Sequence, residues 1–197
     1  MSVKVALFIG SLRKGSLNRK LAKALQKLGP QDWQYDEIEF ADLPLYNKDI
    51  ADPFPESAKE LKRRIEAADA VIFVTPEYNR SVPGGLKNAI DWASRPLGEN
   101  SFAGKPTLVS GASPGNISTA VAQQHLRVML GYLDAPALGQ PEVFISFQPE
   151  DLITDDGDVT VDDTREFLRE VMSEFAVFVE RVTTSAEAAR GEGVGAA

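Results

Sequence analysis

Two stretches of this chain hold more chemistry than a turn requires. The first reads Gly10-Ser11-Leu12-Arg13-Lys14-Gly15-Ser16-Leu17-Asn18-Arg19 and combines glycines, two serine hydroxyls, an amide and three cations at the entrance of a predicted helix. Free N–H groups and the dipole at a helix start favour an anion, so this stretch suits a phosphate. It lacks the Gly-Lys-Ser/Thr ending of a nucleotide P-loop and the three spaced glycines of a dinucleotide fingerprint, so a monophosphate fits better than ATP, GTP or a dinucleotide. A plainer use is also open, with Ser16 as a helix N-cap and Arg13 and Lys14 as solvated charges. The second stretch reads Thr75-Pro76-Glu77-Tyr78-Asn79-Arg80-Ser81-Val82-Pro83-Gly84-Gly85. Two prolines and two glycines fix a loop beside Tyr78 and Asn79, and its displayed backbone groups could read a flat polar ring. The alternative is an ordinary rigid turn in which Tyr78 packs and Asn79 caps.

Little else offers chemistry. The 197 residues contain no Cys and one His, which excludes disulfides, thiolate metal sites and cysteine nucleophiles. His125 falls inside a predicted helix and is expected to be structural or exposed. Trp92 is expected in the core rather than as a stacking platform. Asp155, Asp156, Asp158, Asp162 and Asp163 do not follow an EF-hand spacing and read as an exposed turn. The net charge of −8 opposes a nucleic-acid groove, so no nucleic-acid partner is expected. Apolar runs such as Ala70 to Val74 fall far below the roughly 18 residues a spanning helix needs, so no membrane partner is expected. The short run Val5 to Ile9 lacks a signal-peptide core and cleavage pattern, and the expected location is cytoplasmic.

The elements that must position the two stretches follow from periodicity. Val3 to Ile9, Trp33 to Phe40, Val71 to Val74, Pro106 to Ser110 and Glu142 to Phe147 read as strands. Helices are predicted from Leu17 to Leu28, from a capping box at Ser57-Ala58-Lys59-Glu60 to Ala68, after Gly84-Gly85 to Ala93, and from Ile117 to Leu133. A last helix carries the stripe Phe167, Leu168, Val171, Met172, Phe175, Phe178, Val179 and Val182. Five strands alternating with five helices specify a three-layer α/β domain over residues 1–184, with a disordered tail at 185–197. A five-stranded parallel sheet of order 2-1-3-4-5 would place the ligand crevice between the first and third strands, where both unusual loops begin.

With Gly-Ser-Leu-Arg-Lys-Gly-Ser-Leu-Asn at 10–18, Pro-Glu-Tyr-Asn at 76–79 and Ser-Val-Pro-Gly-Gly-Leu-Lys-Asn-Ala-Ile-Asp-Trp at 81–92, the chain resembles the NAD(P)H-dependent FMN reductases, within them the bacterial quinone and chromate reductases. The resemblance extends to about Phe147 and implies a flavodoxin-like fold with non-covalently held FMN. It implies that Arg13, Ser16, Leu17 and Asn18, with Ser11 nearby, hold the phosphate. Pro76, Glu77, Tyr78 and Asn79 would meet the isoalloxazine, largely through backbone groups. A third contact falls at Ser110-Gly111-Ala112-Ser113-Pro114-Gly115. Relatives commonly carry a hydroxyl where Ala112 stands, so contact there must use the Ala112 backbone or Ser113. Arg80 also departs from the aromatic or His often found after the Asn.

No catalytic side chain is then required, because the flavin carries the redox chemistry. The expected activity is NAD(P)H oxidation with transfer to quinones or other small acceptors such as chromate, azo or nitro compounds or free flavin, in a ping-pong sequence. A flavodoxin-like electron carrier without NAD(P)H turnover is the alternative, although such carriers usually cradle phosphate with neutral groups rather than with Arg13 and its cationic neighbours. A flavin-free receiver module finds no acidic pair after the first strand. The helix from Ile117 to Leu133 has apolar residues on two sides: Val121, Val128 and Tyr132 on one, Ala122, Leu126, Met129 and Leu133 on the other. The surplus face predicts a homo-oligomer, a dimer or tetramer, whose partner helps wall the flavin site together with Leu45, Tyr46 and Asn47.

Overall fold

A computed structural model of the chain describes residues 2–192, apart from the side chains of 187 and 189–192. Its strands are β1 (Lys4–Ile9), β2 (Gln34–Glu37), β3 (Ala70–Val74), β4 (Thr107–Ser113) and β5 (Val143–Ser146). All pair in parallel, in the order β2-β1-β3-β4-β5, with Ile9 beside Val74 and Val74 beside Ser110. The helices are α1 (Leu17–Leu28), α2 (Glu56–Glu66), α3 (Gly84–Ala93), α4 (Ala120–Tyr132) and α5 (Asp162–Glu192). This is the expected three-layer, flavodoxin-like arrangement.

Helices cover both sheet faces, which is why β1 and β3 carry unbroken apolar runs. On one face, Leu21 and Leu25 of α1 and Leu168, Met172 and Phe175 of α5 pack on Leu7, Ile72 and Val143. On the other, Leu61 and Ile65 of α2, Leu86 and Ile90 of α3 and Leu126 of α4 pack on Phe8 and Phe73, whose rings stack 4.8 Å apart. Each such fully buried side chain contributes about 1.5–3 kcal/mol. Trp92 is buried as expected and its indole N–H donates to the Pro44 carbonyl at 2.7 Å. That bond ties the Pro-rich segment after β2 to α3.

Several boundaries differ from the sequence reading. The Ser57–Glu60 capping box does not form: α2 begins at Glu56 behind Pro55, without a side-chain cap, and Ser57 lies in its first turn. Pro55 fixes the entry instead, since its carbonyl already accepts from Ala58 and Lys59. β2 keeps only Gln34–Glu37 of the predicted 33–40, although Ile38 still donates to Leu7 at 2.9 Å. β4 runs three residues past Ser110, through the segment predicted as a loop, because Gly111, Ala112 and Ser113 find partners in β5. α4 starts at Ala120, after Ser118 has turned to φ 51°. α5 reaches Glu192, so 185–192 of the expected tail is helical, and 193–197 lies outside the described residues. Among the acidic residues of the expected turn, Asp155 pairs with Lys20 at 2.8 Å and Asp158 with Lys27 at 2.7 Å, pinning that loop to α1. No described helix is long and apolar enough to cross a membrane.

Gly111 marks the tightest point of the sheet, since a Cβ there would lie 2.2 Å from the Thr75 carbonyl oxygen and 2.3 Å from Thr119 Oγ1. Gly111→Ala is expected to cost about 3 kcal/mol or more in urea unfolding, because backbone cannot give way as a flexible side chain would. Tyr35 supplies a second test. Its hydroxyl is buried without a partner, and burial pushes the phenol from 10.0 up to about 12. The folded state thus holds the proton longer than the unfolded one; stability present below pH 10 falls as pH rises toward 12. Tyr35→Phe should remove this part of the alkaline decline while leaving stability at neutral pH equal or higher.

Candidate functional site

The two unusual loops meet at the carboxyl ends of β1, β3 and β4. Gly10 donates to the Val74 carbonyl at 2.9 Å, joining the start of one loop to the strand before the other. A Cβ on Gly10 would come within 3.1 Å of both Pro76 and Leu86, so glycine permits this approach. Between the loops lies a cleft of about 230 Å³. Ser11, Arg13, Ser16, Leu17 and Asn18 line it from the first loop, Pro76, Glu77 and Tyr78 from the second, and Ala112, Ser113 and Pro114 from the end of β4. Asn79 is the one predicted contact residue outside this lining. Larger hollows exist, including one of about 1010 Å³ against α2, but that one includes no residue of either loop.

At the phosphate-suited end, Arg13 Nη2 donates to the Gly15 carbonyl at 3.0 Å, which folds the loop back over itself at a left-handed Gly15. Ser16 stands at the N-cap position but makes no side-chain cap bond. Its Oγ is buried and has no partner, which costs about 1–3 kcal/mol until something fills it. No acidic residue occupies the first turn of α1, so the dipole and the leading N–H groups stay uncompensated. An orphaned hydroxyl, free amides and a nearby guanidinium are the donor set that an FMN phosphate takes.

The Asn18 side chain, the Ala112 peptide groups and the Glu77 carboxylate are each engaged within the fold. The Asn18 amide donates to the Ala112 carbonyl at 2.9 Å, and its carbonyl accepts from the Ala112 N–H at 2.9 Å. Asn18 is therefore a clamp between α1 and β4, and the Ala112 peptide groups expected to meet the cofactor are occupied by it. Ser113 is the remaining candidate on this strand: its hydroxyl accepts from the Gly115 N–H at 3.2 Å and keeps its own proton to donate. The Glu77 carboxylate accepts from the N–H groups of Val121 and Ala122, both at 3.0 Å. It caps α4, which has no cap of its own. Only the backbone of Glu77 is left for a ligand, as the sequence reading expected.

Asn79 and Arg80 sit at the tip of the second loop with φ of 50° and 61°. Tyr78 and Ser81 exchange both backbone hydrogen bonds at 3.0 Å, so the four residues form a tight two-residue reversal of the I′ kind. Asn tolerates that conformation; Arg adopts it at a cost of order 1 kcal/mol. The Arg80 guanidinium pairs with Glu77 at 3.0 Å. It also lines a second hollow of about 390 Å³ that shares Glu77 and Ser113 with the first. Sequence reasoning missed the α4 cap, the Asn18 clamp and this adjoining hollow. His125 is exposed and its Nδ1 lies 3.1 Å from the Ser81 hydroxyl, with no carboxylate bonded to it among the described residues.

Comparison with known proteins identifies the family. Residues 3–150 match the NADPH-dependent FMN reductase family. A 2-hydroxy-1,4-benzoquinone reductase of a Burkholderia species is 46% identical over 179 residues, covering 91% of this chain and 97% of the relative. The quinone reductase of Escherichia coli K12 is 40% identical over 183 residues, covering 91% and 97%. Among solved structures, the flavoenzyme NAD(P)H:(acceptor) oxidoreductase FerB from Paracoccus denitrificans superposes with a TM-score of 0.86 at 46% identity, covering 91% of this chain and 98% of that one. The chain belongs to the NADPH-dependent FMN reductase family, oxidoreductases that use FMN with NAD(P)H.

Proposed function

We propose that this protein is a cytoplasmic NAD(P)H:quinone oxidoreductase whose FMN lies in the cleft between the two loops. The observation that carries this reading is the buried, unpartnered Ser16 hydroxyl at the uncapped start of α1, opposite the Tyr78 loop. Ser11, Arg13, Ser16 and the N–H groups of Leu17 and Asn18 hold the phosphate. Backbone groups of Pro76, Glu77 and Tyr78 meet the ring, with Asn79 shaping their turn, and Ser113 donates from the far wall. FMN, when bound, supplies the hydride and electron transfer that no side chain of this chain can.

The protein's task is then to hold the cofactor, leave one of its faces open and accept two substrates there in turn. With no separate dinucleotide fingerprint, both substrates use the same face in turn on this reading, and oxidised nucleotide leaves before the acceptor enters. Quinones are the first acceptor class because the similar enzymes are named for them. Chromate, azo and nitro compounds and free flavin are further acceptors on this reading.

A second copy covers the outer face of α4. Val128 and Tyr132 lie one turn apart and are 74% and 80% exposed, while Leu126 and Leu130 of the same helix are buried. Exposed Leu45 can extend this wall, whereas Tyr46 packs edge-on against Trp92 at 5.0 Å and serves the fold.

Purified protein should be yellow and should consume NAD(P)H steadily with a quinone and no added reductase. Double-reciprocal plots at several acceptor concentrations should run parallel; an intersecting set would rule out alternation at one opening. An electron carrier would bind FMN but leave NAD(P)H untouched. Ser16→Ala should weaken FMN binding about tenfold without destabilising the apoprotein, whose Ser16 hydroxyl bonds nothing. Asn18→Ala, by contrast, should destabilise the apoprotein itself by about 2–4 kcal/mol, because both Ala112 peptide groups lose their partner. Light scattering at micromolar concentration should give a dimer or tetramer, and Val128→Glu with Tyr132→Glu should shift it toward monomer.

A further inference from the structure

The second loop brings one pair of opposite charges to the cleft, and its two members are placed unequally. Of the described residues lining the FMN cleft and the adjoining hollow of about 390 Å³, only Arg13, Glu77 and Arg80 carry charge. Arg13 belongs to the phosphate-suited loop, which leaves Glu77 and Arg80 on the other. The Glu77 side chain is 6% exposed and that of Arg80 is 63% exposed, and the two meet at 3.0 Å. The carboxylate divides its oxygens: Oε2 accepts from the N–H groups of Val121 and Ala122, and Oε1 accepts from Arg80 Nη1. The positive end of α4 therefore compensates part of the buried charge, and Arg80 adds to that from the solvent side. The remaining N–H groups of Arg80 have no protein partner among the described residues.

We propose that Glu77 and Arg80 tune how readily FMN bound in this cleft is reduced, the buried carboxylate opposing reduction and the solvent-facing guanidinium favouring it. A hydride from NAD(P)H brings two electrons and one proton, so its acceptor becomes one unit more negative. Neighbouring charge enters the free energy of that change directly, and it counts for more where water is scarce. A negative charge on a side chain so little exposed disfavours the gain, and Arg80 offsets it. Because Arg80 stands largely in water and Glu77 does not, salt screens the first and leaves the second nearly intact. The pair thus makes the reducibility of the site respond to ionic strength. Neither side chain has to touch the ring, since both act through the field at the cleft wall. The proposal deepens the function proposed above and rests on FMN lying in this cleft.

The test is a redox titration of the FMN-loaded protein against a reference dye held at a fixed ratio of its two forms, with the reduced-to-oxidised ratio of FMN read by absorbance. Arg80→Asn, chosen because Asn suits the φ of 61° at this position, should lower the FMN ratio about fivefold. Glu77→Gln, whose amide carbonyl can still accept from α4, should raise it about tenfold. Arg80→Lys should stay near wild type, and salt raised to about 1 M should move wild type toward Arg80→Asn while leaving that variant in place. The opposite signs discriminate: a side chain that only shapes the loop alters the affinity for both redox forms together and leaves the ratio where it was. Shifts of the same sign, or both ratios within twofold of wild type, overturn the proposal. If Glu77→Gln does not hold FMN, Arg80→Glu takes its place and should lower the ratio further than Arg80→Asn does; a ratio equal to or above that of Arg80→Asn overturns the proposal as well. Purified wild type that takes up no FMN overturns the placement of the cofactor and the proposal with it. Wild type that holds FMN, with variants at the wild-type ratio, overturns the proposal and leaves that placement standing.

Discussion

The Asn18 carboxamide meets the Ala112 peptide through two hydrogen bonds of 2.9 Å, in a place where neither partner can reach water. That pair fixes the first turn of α1 against the end of β4, and so sets where the phosphate-suited loop stands relative to the rest of the sheet. Two glycines make the arrangement possible. Gly111 lets the Thr75 carbonyl and Thr119 close over β4, and Gly10 lets β1 turn out against Pro76. A side chain at either position, or the loss of either Asn18 bond, would separate groups that act on one ligand. Buried polar pairs of this sort cost much to break, because each group left behind pays its full desolvation.

The polar groups around the cleft divide into those the fold has satisfied and those it has left over. Asn18 belongs to β4, Glu77 belongs to α4, and Thr75 Oγ1 donates to the Pro76 carbonyl at 2.8 Å. Left over are the Ser16 hydroxyl, the leading amides of α1, the Ser113 proton and much of two guanidiniums. The remainder describes a ligand with an anion at one end and a polar planar edge at the other. Among the described residues lining the cleft none is a nucleophile hydrogen-bonded to a base, which accords with an enzyme whose protein part binds and orients.

Much of this was legible in the residues. Continuous apolar runs in β1 and β3, the period of α1 and the stop at Gly29-Pro30 are local signals, and α1 spans the predicted Leu17–Leu28. The convergence of the two loops followed from strand order, because both leave the sheet at its winding reversal. Other features needed the third dimension. Nothing in the spacing tells that Asn18 faces Ala112, since the two are 94 positions apart. Glu77 was read as a ligand contact from the resemblance carried by the 76–79 loop, and only the fold brings its carboxylate to the start of a helix 44 positions away. The extension of β4 through Gly111 depended on a partner strand, and α2 began early because Pro55 outweighed the Ser57 pattern. The second side of α4 was readable as a surplus of apolar residues, while its exposure in one subunit is a fact of packing.

On the proposed reading this cleft holds a flavin that exchanges electrons with a nicotinamide at its exposed face. Anaerobic spectroscopy of the purified protein addresses it most directly. NAD(P)H should bleach the visible flavin band stoichiometrically, and a quinone added afterwards should restore it. A flavin band that persists unchanged in the presence of excess NADH and of excess NADPH would contradict the account.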